Sequence, residues 1–82
     1  MIELKDTVAL MTSDDYKDRF EAEYEQLDTR RVKLARMIEK YKAGKLDFTP
    51  ACPVELLERQ LKAMSEYLQC LKLRAEIEGI EV

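Results

Sequence analysis

Few side chains in this chain could do covalent chemistry. Its 82 residues include no histidine and two cysteines, Cys52 and Cys70. Cys52 precedes an expected helix start, where the helix dipole can lower a thiol pKa. No histidine or other evident base stands beside it to complete a nucleophile. Cys70 reads as a small apolar interface residue on a helix. Two cysteines without framework spacing read as reduced thiols, not as a disulfide or a zinc site. The carboxylates are numerous, yet they are spread by helical pattern and gather into neither an acid–base pair nor a metal cage. No glycine-rich phosphate loop is present. No enzyme, no metal and no cofactor is expected.

Non-covalent chemistry is better supplied. Arg31 occupies a core-register position of an apolar seam, where an unpaired guanidinium is too costly to bury. It needs an acid such as Glu66, water or an anionic ligand. Arg74 raises the same question near Tyr67. An arginine beside a tyrosine suits a nucleotide, with charge for the phosphate and a ring for the base. Arg30, Arg31, Tyr67 and Arg74 are therefore the candidate ligand-binding residues. The competing reading makes these arginines interface salt bridges that set register. Charge along the first half leaves both open. Residues 14–28 carry seven acids against Lys17 and Arg19, and residues 30–45 carry seven bases against Glu39. Such polarisation complements a helix dipole and favours antiparallel pairing, or its basic half binds phosphates.

These residues must be positioned by helices. From Pro53 to Glu78 the apolar residues Val54, Leu57, Leu61, Met64, Leu68, Leu71 and Ala75 alternate at spacings of three and four, a heptad seam. A second line runs beside it through Leu56, Gln60, Ala63, Tyr67, Cys70, Arg74 and Ile77. Together they cover about 200° of the helix, twice a simple amphipathic stripe. The first seam has a mate in Tyr16, Phe20, Tyr24, Leu27, Arg31, Leu34, Ile38 and Tyr41. The second has none within residues 13–43, so Leu56, Ala63, Tyr67, Cys70 and Ile77 are the candidate interface.

Boundaries follow from the punctuation. Thr12 or Ser13 is the expected N-cap of a helix over about residues 14–43, closed by Gly44. Pro53 fits the first position of a helix over 53–78, ending near Gly79. Leu46 and Phe48 are expected to plug the open end of the hairpin. Residues 1–12 form an arm or short helix able to cover part of the second seam, and Met11 is a candidate alternative start. The fold class is all-α: an antiparallel hairpin of two long helices over residues 13–82, with a short N-terminal segment, assembling into a helical oligomer.

Other classes are excluded by composition. Charged residues make up 38% of the chain and its net charge is −3, against a generic nucleic-acid binder. No apolar run reaches the roughly 18–20 residues of a membrane span, and Glu3, Lys5 and Asp6 interrupt any signal peptide. A cytoplasmic chain is expected.

Three stretches carry a resemblance: Asp15-Tyr16-Lys17-Asp18-Arg19-Phe20, then Gly44 to Pro53, then Arg74-Ala75-Glu76-Ile77-Glu78-Gly79-Ile80. They resemble a family of small helical phage and prophage proteins related to an uncharacterised crAss-like phage protein. The likeness covers about residues 14–82, and its members start near Met11. It implies a phage accessory protein, a class in which counter-defence factors are common. The expected function is then non-enzymatic interference with host antiviral immunity in the host cytoplasm. Its most concrete form is a sponge that holds a signalling nucleotide between subunits of a homo-oligomer. The alternatives are a helical module that binds a host defence or phage protein, and a structural or assembly oligomer.

Overall fold

The computed structural model describes residues 2–82; Met1, the first residue of the expected arm, lies outside them. A 3₁₀ turn, Leu4–Thr7, leads into the short helix α1, Val8–Met11, and two long helices follow, α2 at Tyr16–Lys42 and α3 at Val54–Glu78. No strand occurs among the described residues.

The start of α2 differs from the expectation. Asp15 is its N-cap, with a carboxylate that accepts the Lys17 N–H at 2.9 Å. Thr12 is unavailable, because its hydroxyl donates to the Val8 carbonyl at 2.8 Å and closes α1. Ser13 accepts the Asp15 N–H at 3.1 Å and donates to the Asp18 carboxylate at 2.7 Å, bracing the cap without being it. Pro53 likewise stands one position outside α3, at φ −57° and ψ 141°. Its carbonyl accepts the first helical N–H groups, from Leu56 and Leu57.

Both long helices stop in the same way. Gly44 (φ 70°) and Gly79 (φ 69°) take the left-handed conformation. The next N–H then reaches back five residues, Lys45 to the Lys40 carbonyl at 2.8 Å and Ile80 to the Ala75 carbonyl at 2.9 Å. This satisfies carbonyls that the helix end would otherwise orphan. The second stop also folds Ile80 onto the core.

The α3 seam packs on α2. Leu68, Leu71 and Ala75 are buried, and Val54, Leu57, Leu61 and Met64 are half-buried. Leu71 and Ala75 form the tightest cluster with Phe20 and Ile80, flanked by Tyr24 and Leu27. Leu71 is fully buried, which contributes about 2 kcal/mol. The core therefore sits away from the interhelix loop. Phe48 does not plug that loop end as expected; it is 55% exposed, because the Gly44 stop returns the loop along the flank of α2.

The N-terminal arm also settles elsewhere than expected. Its turn and short helix pack on α2 and, among the described residues, make no contact with α3. A second ridge on α2, Ala22, Gln26 and Thr29, receives it. The Thr29 hydroxyl donates to the Ile2 carbonyl at 2.8 Å, and the Gln26 amide donates to the Thr7 hydroxyl at 2.8 Å. Thr7, Ala22 and Thr29 are buried by this docking. The helix α2 is thus covered on two faces and α3 on one.

Candidate functional site

The C-terminal half of α2 presents Lys33, Arg36 and Lys40 at helical spacing, on the flank that the arm covers further back. The left-handed turn at Gly44 sends Lys45, Leu46, Asp47 and Phe48 back along this flank. A cleft of about 460 Å³ results, lined by Lys33, Arg36, Met37, Lys40 and those four loop residues. It holds four cations and one acid. None of the four cations takes part in an ion pair among the described residues. Of these, Lys40 stands in the last turn of α2, where its charge offsets the helix dipole. What the dipole does not call for is the concave wall and the exposed Phe48 ring. Together these can hold an anion through an arginine fork and lysine charges while stacking a planar group on the ring.

The residues singled out from sequence are divided. Arg30 and Tyr67 line one small groove of about 280 Å³ with Glu23, Gln26, Leu27, Gln60 and Met64. The Tyr67 hydroxyl there donates to the Glu23 carboxylate. Arg31 lies apart from them. It finds its acid on its own helix, Asp28 at 2.8 Å, and not Glu66. Arg74 belongs to a clasp between the ends of the hairpin. Its guanidinium lies over the Phe20 ring, 5.0 Å from the centroid, and donates to the Tyr16 hydroxyl at 3.0 Å and to Glu78 at 3.3 Å. The Tyr16 bond, above all, holds the Arg74 pKa above its usual value. Within one chain, Arg31 and Arg74 are already neutralised.

The candidate interface residues share the outer face of α3, and all of them are exposed: Leu56, Ala63, Tyr67, Cys70 and Ile77. Ile77 is the extreme, at 85%. Cys52 and Cys70 are both free thiols at the surface. No cluster of side chains suited to a metal ion occurs among the described residues, and no described helix is long and apolar enough to cross a membrane.

The basic half of α2 is legible in the sequence, and its partner Phe48 is not. The spacing of Lys33, Arg36 and Lys40 was the available signal; the return path of the loop was not. The chain is similar over residues 14–77 to a family described as Sequestin, whose model matches that span. Comparisons with curated proteins and with solved structures find no match.

Proposed function

We propose that this chain, which belongs to the Sequestin family, sequesters a small anion of nucleotide type without transforming it. One observation carries the reading: four cations, with no ion pair among the described residues, share a cleft with an exposed aromatic ring and a single acid. Lys33 and Lys40 supply charge for phosphate oxygens, Arg36 a bidentate fork, and Phe48 a platform for a base. The family description is compatible with a sequestering role, and the resemblance to phage proteins supplies the setting. There the chain acts in the cytoplasm of an infected host and depletes a nucleotide signal of antiviral immunity. Arg30 and Tyr67, in the neighbouring groove, are the second set of candidate contacts.

Calorimetric titration with cyclic oligonucleotides and ADP-ribose derivatives tests this reading. Binding of at least one class is expected, with loss in Arg36→Glu and weakening in Phe48→Ala. Heat from none of the panel would end it. A second reading, a module that docks a host or phage protein, draws on the exposed apolar face of α3. Recovery of one defined partner together with silence in the titration would favour it.

A further inference from the structure

Leu56, Ala63 and Cys70 stand in one exposed row on the outer face of α3 at seven-residue spacing. Such a row drifts by only about 20° per heptad and so forms a nearly straight seam. Along one edge stand Arg59 and Glu66, also seven apart and exposed. Neither enters an ion pair among the described residues. An unpaired base and an unpaired acid on one edge, with a small residue midway between them, constrain what can cover this face.

A two-fold axis perpendicular to two antiparallel helices keeps each edge against itself. With the axis beside Ala63, Arg59 of one copy meets Glu66 of the other, and the contact repeats by symmetry. Leu56 meets Cys70 twice, a large residue against a small one. Ala63 meets Ala63, and its methyl group lets the backbones approach closely at the crossing. A parallel copy would instead set this edge against the opposite edge of its partner, so that Arg59 and Glu66 would not meet.

We infer that the outer face of α3 is a homodimer interface, covered by the α3 of a second copy laid antiparallel with Ala63 at the two-fold axis. The contact is isologous, so it closes at two chains. The inference stands apart from the ligand reading, because the basic cleft is lined by α2 and the loop alone. Each dimer keeps two open clefts.

Mass by light scattering tests it. The native chain is expected at twice the chain mass, and Ala63→Arg at the chain mass, with the circular dichroism of a folded helical protein. Arg59→Glu should weaken the dimer about tenfold, since two attractive contacts become repulsive. The double variant Arg59→Glu with Glu66→Arg should regain it. Ala63→Cys, in a Cys52→Ser and Cys70→Ser background, should form a disulfide-linked dimer on oxidation. A native monomer, an assembly that survives Ala63→Arg, or a double variant no better than the single one would overturn the interface. So would a monomer that uses this face for a different protein.

Discussion

Thr29 is 1% exposed, as deeply buried as the leucines of the core, and it is tolerated there because its hydroxyl donates a hydrogen bond to the Ile2 carbonyl. Replacing it with valine keeps the volume and leaves that carbonyl short of a donor. The loss should be about 1–2 kcal/mol, read as a lower urea midpoint with an unchanged slope. Glu25 makes the opposite kind of prediction. Burial, then the charges of Asp28 and Glu21, raise its pKa above the usual carboxylate value. A carboxyl that holds its proton more firmly folded than unfolded favours the fold in acid. That contribution falls away as pH rises through the folded pKa. At neutral pH the ionised group opposes folding. Glu25→Gln should then raise the melting temperature at neutral pH, and the gain should vanish near pH 3, where both states hold the proton. Neither residue stood out in the sequence. A threonine or a glutamate on a long charged helix carries no local sign that a distant arm will land beside it.

At the scale of elements, the heptad seams were legible because a period of three and four fixes which face is buried whatever the partner's sequence. Leu68, Leu71 and Ala75 of α3, and Phe20 and Ile38 of α2, are buried as that period requires. The glycine stops were legible for the same local reason. Gly79→Ala meets no neighbouring atom, so its cost is the left-handed backbone alone. About 1 kcal/mol is expected, seen as a fall of about 4–8 °C in thermal unfolding. The arm was not legible. Its docking depends on Thr7 and Ile2 finding Gln26 and Thr29, contacts with no periodic signature. A chain beginning at Met11 should keep the helical spectrum of the hairpin, since the family match covers only residues 14–77. It should melt earlier, because Ala22 and Thr29 lose their cover.

The molecule as a whole measures 43 × 24 × 18 Å, a rod whose tight core and basic cleft lie toward opposite ends. The cleft was half legible. Three of its cations repeat on one helix, but Lys45 and Phe48 join them only through the turn at Gly44. The rod also has unequal sides, since α2 is sandwiched between α3 and the arm while α3 is covered on one side. In amide hydrogen exchange this inequality becomes a difference in rate. The backbone amides of α2 between Phe20 and Thr29 should exchange slowest, because exposing them requires two separate partners to leave. Those of α3 should exchange sooner in dilute protein and slow as the concentration rises. The arm should lose its protection first, without carrying the hairpin with it.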